Sequence, residues 1–121
     1  MKCSEVMKHN PPFAKANDSI RRLAVLMAHH NVEALTLVNG DHEVVGVVSS
    51  KDILKKGVAT GLDLVATHAK ELAQPALTVQ ADDDAMTAEE KLKAANAPLV
   101  AVVNNMNELQ GLITLTELQA P

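Results

Sequence analysis

Hydrophobic positions along this chain keep two different periods, and the switch between them marks the elements. Ile20, Leu23, Ala24 and Met27 fall at i, i+3, i+4 and i+7, which puts them on one face of a helix. Asp18 precedes them as an N-cap, and the pattern fades near His30-Asn31. Residues 34–38 form an apolar run that predicts a short buried strand. Asn39-Gly40-Asp41 predicts a hairpin turn, because Asn and Gly tolerate the positive φ of tight turns. Residues 44–48, rich in valine, predict the returning strand. Ser49 then opens a short helix over residues 50–56, with Gly57 as its stop.

The same order returns further along. A shift of 65 aligns residues 4–56 with 69–121 without a gap. Identities fall at Ala16/Ala81, Asp18/Asp83, Asn31/Asn96, Val38/Val103, Asn39/Asn104, Glu43/Glu108 and Gly46/Gly111. Asp82, Asp83 and Asp84 cap a second helix that runs to Asn96, with acid at the positive end of its dipole. Residues 99–103 and 109–113 predict strands about a turn at 104–108, and Thr114 starts a last short helix. Residues 57–68 connect the repeats, and Leu62, Leu64 and Val65 predict that part of the connector is helical. The chain is therefore α+β (α/β), two β-α-β-β-α units. One such unit buries little core alone, whereas two packed as a pseudo-twofold pair bury a shared one.

Composition narrows the function. Phe13 is the sole aromatic residue, so the core is aliphatic and the stacking platforms of single-stranded nucleic-acid binders are missing. A formal net charge of −4 argues against a phosphate-backbone partner. Residues 1–60 hold eight basic against six acidic groups and 61–121 three against nine, so the halves carry +2 and −6. Those halves either attract or are two solvated surfaces. Cys3 is alone, which excludes an internal disulfide and a cysteine zinc site, and its place near the terminus predicts a frayed segment. No apolar run reaches the ~18 residues of a membrane span, and the start lacks a signal-peptide core. A cytoplasmic protein without membrane contact is expected. His29 and His30 diverge on a helix, and His9, His42 and His68 are scattered, so no metal site is expected. Asp82, Asp83 and Asp84 lack the spaced ligands of a calcium loop. No nucleophile–base pair or glycine-rich phosphate loop is visible, which predicts a non-enzyme.

Three stretches carry a family likeness: Ser4-Glu5-Val6-Met7, Asp18-Ser19-Ile20, and Gly46-Val47-Val48-Ser49-Ser50-Lys51-Asp52. The last has its counterpart in Gly111-Leu112-Ile113-Thr114-Leu115-Thr116-Glu117, with Glu where Asp is usual. On these residues the chain resembles the CBS domain, named after cystathionine β-synthase, two of which in tandem form a Bateman module. Thr36 and Ala101 stand where the family usually has Pro, and Ala69-Lys70-Glu71-Leu72 departs from the usual Val-Met ending. The expected division is a first unit over 1–57, a linker over 58–68 and a second unit over 69–121.

The resemblance implies a ligand cleft between the units. One site joins Val47, Ser49, Lys51 and Asp52 with Leu77, Ala97 and Leu99. The other joins Leu112, Thr114 and Glu117 with Pro12, Val32 and Ala34. Asp52 would accept hydrogen bonds from both ribose hydroxyls, a charge-assisted pair. Helix logic alone gives a plainer role, with Ser49 an N-cap and Asp52 a helix-start acid. Glu117 is one methylene longer than Asp, which favours the Asp52 site. The family often has a basic residue where this chain has Glu33 and Pro98, leaving Lys51, Arg21 and Arg22 as cations. That weakens the case for a tightly held triphosphate.

The implied function is a non-catalytic sensor of an adenosine-containing ligand (AMP, ADP, ATP or S-adenosylmethionine). It needs no cofactor and signals to a regulated protein partner. The alternatives are a ligand-free structural dimerisation module and a regulatory fragment of a larger enzyme or transporter. A homodimer through Ile53-Leu54 and Leu115 to Leu118 is expected.

Overall fold

The computed structural model describes residues 1–119, so the end of the expected second unit, 120–121, lies outside the described residues. A short helix α1 (Cys3–Val6) and strand β1 (Lys8–His9) open the chain. The first repeat follows as β2 (Phe13–Lys15), α2 (Ile20–His30), β3 (Ala34–Val38), β4 (Val44–Ser49) and α3 (Ser50–Asp52). The second is β5 (Thr78–Gln80), α4 (Ala85–Ala95), β6 (Val100–Val103), β7 (Leu109–Ile113) and α5 (Leu115–Gln119). The repeated strand–helix–strand–strand–helix order is thus present in both copies, in an α+β chain with two sheets. One sheet runs β2-β3-β4, with β2 parallel to β3. The other runs β1-β7-β6-β5, with β5 parallel to β6 and both β6 and β1 antiparallel to β7.

Local hydrogen bonds set the element ends, and some differ from expectation. The N-cap of α2 is Ser19, whose hydroxyl accepts from the Arg22 amide at 3.0 Å. Asp18 turns back to accept from the Lys15 amide at 2.9 Å, closing the turn that enters the helix. Asp84 caps α4, and Asn31 and Asn96 end the two long helices in the left-handed region, with φ of 54° and 49°. Asn tolerates that conformation better than most side chains. In the hairpin turns the positive φ falls on His42 (64°) and Asn107 (63°), not on Gly40. Asn39 and Asn104 shape those turns by accepting from the amides of Asp41 and Met106, each at 2.9 Å.

Gly57 does not stop the short helix. The backbone continues beyond Asp52 as a π-helical stretch, Ile53–Val58, with Gly57 buried inside it. A Cβ there would stand 3.5–3.9 Å from Leu64, Leu72 and Ile20, so the glycine marks close packing. The connector at Leu62, Leu64 and Val65 is not helical. The Asp63 carboxylate accepts from the amides of Val65 and Ala66, both at 3.0 Å, and folds it into a turn.

Two aliphatic cores result. One gathers Ala14, Ile20, Leu23, Met27, Leu35, Leu37, Val48, Ala69 and Leu72; the other Cys3, Val79, Ala88, Leu92, Val100, Val102 and Ile113. Cys3 is therefore fully buried, contrary to the frayed terminus expected of it. Burial, and then Asp83 and Asp84, push its thiol pKa above the ordinary value. The thiol stays protonated and behaves as a small apolar side chain.

The compact units do not follow consecutive sequence. Among the described residues, one comprises Met1–Pro11, His42–Val44 and 76–119; the other comprises Pro12–Asp41 and Val45–Pro75. Each repeat is completed by the segment that leads into its twin. Cys3 and Ser4 donate to the carbonyls of Asp83 and Ala81, and Ala69 and Lys70 donate to those of Asp18 and Ala16. The register of these entry segments is shifted by 66, not 65. Glu5 accepts from the Lys2 amide and Glu71 from the His68 amide. Further on, Asp18 with Lys15 and Asp83 with Gln80 restore the shift of 65. One residue is therefore lost between the two copies, in the short lead-in to β5.

Candidate functional site

The Gly-x-x-Ser-x-x-Asp stretch folds as the end of β4 and the first turn of α3. Asp52 is buried, at 6% exposure. Its Oδ2 accepts from the Ser49 amide at 2.9 Å and the Ser49 hydroxyl at 3.0 Å, and the Asp52 amide donates back to that hydroxyl at 3.1 Å. This reciprocal capping box satisfies two amides at the helix start. The other oxygen, Oδ1, accepts from Gln74 Nε2 at 2.7 Å and lies 3.3 Å from Lys56 Nζ. A carboxylate has about four acceptor sites, and all four are engaged. Burial acts to raise the Asp52 pKa. The Ser49 amide, the Gln74 amide, the Ser49 hydroxyl and Lys56 together outweigh it and hold the carboxyl below its ordinary value.

The second copy builds a related cap with a longer acid, in which the Thr114 hydroxyl accepts from the Thr116 amide at 3.2 Å. Glu117 Oε1 accepts from the Thr114 amide at 2.8 Å and the Thr114 hydroxyl at 2.7 Å. The extra methylene of Glu leaves the cap intact. Among the described residues Oε2 has no hydrogen bond or ion pair, and Glu117 is half-buried.

The other expected site residues divide between the two compact units. Val47 is buried, Ser49 half-buried and Lys51 exposed, all in the unit of Asp52, whereas Leu77, Ala97 and Leu99 belong to the other. Leu112, Thr114 and Glu117 share one unit, and Pro12, Val32 and Ala34 belong to the other. Sequence reasoning missed Gln74 and Lys56. Lys56 had a visible signal, since it stands four residues after Asp52 at ion-pair spacing on a helix. Gln74, 22 residues away, had none. Thr36, where the family usually has Pro, is buried, and among the described residues its hydroxyl has no hydrogen-bond partner.

A family profile for the CBS domain matches residues 3–59. A solved CBS domain protein of Pyrobaculum aerophilum complexed with AMP is 33% identical, with a TM-score of 0.88 over 100% of this chain and 92% of its own. The chain belongs to the CBS domain family. Hypoxic Response Protein I, solved with two coordinated zinc ions, shares the CBS fold of this chain, with a TM-score of 0.91, 22% identity and full coverage of both chains. Among curated proteins, a homoserine O-acetyltransferase of Methanocorpusculum labreanum is 29% identical over 94% of this chain. An uncharacterised protein of Methanopyrus kandleri is 21% identical over 94%. The chain spans 23% of the former and 59% of the latter. Among the described residues of this CBS chain, no three His, Cys, Asp or Glu side chains group as metal ligands. No described helix is long and apolar enough to cross a membrane.

Proposed function

We propose that this CBS chain is a non-catalytic regulatory module that binds an adenosine nucleotide through ribose hydroxyls held by Glu117 and Asp52. The observation that carries this is that the acid of each copy accepts, through one carboxylate oxygen, from both the amide and the hydroxyl of its Ser or Thr. Each commits one carboxylate oxygen to its own helix start and leaves the other out of the cap. A carboxylate oxygen left out of the cap at a fixed helix start is a charge-assisted acceptor for a diol. The 33% identical relative complexed with AMP supports the ligand class. The two copies rank opposite to the sequence expectation: Glu117 keeps Oε2 available, while Asp52 Oδ1 is occupied by Gln74 and Lys56. Ligand then shifts the population between two conformations, and a partner reads the difference.

Calorimetry with AMP tests this reading. Glu117→Ala removes bonds worth about 1.5–3 kcal/mol and should weaken binding ~10- to 150-fold. Equal affinity for wild type and Glu117→Ala rejects the assignment, and wild type that binds no adenosine compound leaves the ligand-free module. A second reading, a regulatory segment of a larger enzyme, is favoured by the relative in which a matching stretch makes up 23% of an acetyltransferase.

A further inference from the structure

We propose that Gln74 is a latch on the Asp52 site, a side chain that must leave Oδ1 before a ribose hydroxyl takes its place. This rests on the reading of the two carboxylates as ribose acceptors. Gln74 is fixed in a way that Lys56 is not. Its backbone amide and carbonyl both pair with Val47 of β4 at 2.9 Å, the Val47 amide donating in return. The strap it belongs to lies hard against β4, where a Cβ on Gly46 would come within 3.0 Å of Ala73 and 3.1 Å of the Gln74 carbonyl. From that anchored backbone the side-chain amide reaches Oδ1 at 2.7 Å. Lys56 is 48% exposed on a flexible stem, so a ligand displaces it at little cost.

The second copy lacks this device. By the shift of 66 that governs the entry segments, Lys8 takes the place of Gln74. Lys8 is exposed, and no hydrogen bond or ion pair joins it to Glu117 among the described residues. Two sites of the same ancestry are therefore set to different thresholds: the Glu117 site open, the Asp52 site closed until the strap yields. Displacing the Gln74 amide also removes a tether of the strap, so filling the Asp52 site loosens the Gln74–Val47 pairing.

The test combines a ligand-free and a ligand-bound measurement on the full chain. Carboxyl-detected NMR titration of Asp52 should move to higher pH in Gln74→Ala, because a hydrogen bond to the ionised form is lost. An unmoved titration overturns the latch whatever binds. Calorimetry with AMP should show tighter binding at the Asp52 site in Gln74→Ala by about tenfold or more, read in a Glu117→Ala background. Unchanged affinity there, with AMP still bound by wild type, overturns the latch and leaves the nucleotide reading intact. A moved titration with no AMP bound by any variant overturns the nucleotide reading, and the gate with it, leaving Gln74 a structural contact.

Discussion

Asp52 shows how one residue satisfies a structural rule and a chemical one together. Its carboxyl pKa is depressed on folding, so the unfolded chain takes up its proton first as pH falls. Stability from Asp52 is then complete above the ordinary value of 3.8 and is lost as pH drops through the lower folded value. Asp52→Asn should cost on the order of 1.5–3 kcal/mol at pH 6, with the gap to wild type closing in melts near pH 3. Thr36 works in the other direction. Its buried hydroxyl has no partner among the described residues, so Thr36→Val should raise stability by about 1 kcal/mol in urea unfolding. Residue roles were unevenly legible. The Ser49–Asp52 box was readable because capping is local. Asp18 against Ser19 was not, since two good capping residues stand side by side and only the Lys15 turn decides between them. Cys3 looked like a loose end because nothing local shows which distant helix covers it.

At the scale of elements, hydrophobic period was a good guide wherever one face is buried. The long helices and β3 lie where their apolar spacing put them. The pattern misled in the connector, where Leu62 and Val65 are exposed and Asp63 folds the turn. It also missed the one-residue slip of the entry segments, because hydrogen-bond register is invisible in composition. Close strand contacts make the two equivalent glycines sensitive. A Cβ on Gly111 would lie 2.9 Å from the Lys8 carbonyl and 2.5 Å from Met7 Sδ. The methionine can swing away but the carbonyl belongs to a paired strand. Gly111→Ala should therefore destabilise by about 1–3 kcal/mol, and more than Gly46→Ala, in parallel thermal melts.

For the whole molecule the exposed apolar side chains bear on association. Leu54 and Val58 are 61% and 52% exposed and Leu115 44%, while Ile53 and Leu118 pack inward on the two cores. The expected dimer contact thus narrows to Leu54 and Leu115, and the exposed Val58 adds to it. We propose a homodimer through these faces. Light scattering at micromolar concentration should give twice 12.9 kDa, and Leu54→Asp should return the monomer mass. A wild-type mass of 12.9 kDa rejects it.

The exchanged entry segments bear on how the chain is made. On the ribosome the first repeat emerges complete in strands and helices, yet Ala69 and Leu72 of its core are still to come. Residues 1–11 wait longer, until β7 is translated, before β1 can pair. The core of Ala14 to Leu72 can close once Leu72 has emerged, whereas the core that holds Cys3 needs Ile113 and is deferred to the last third of translation. A nascent chain halted after residue 68 should remain open to protease, and one halted after Gln119 has cleared the exit tunnel should resist it. For the same reason the repeats cannot be parted at the connector: a break there severs both cores at once.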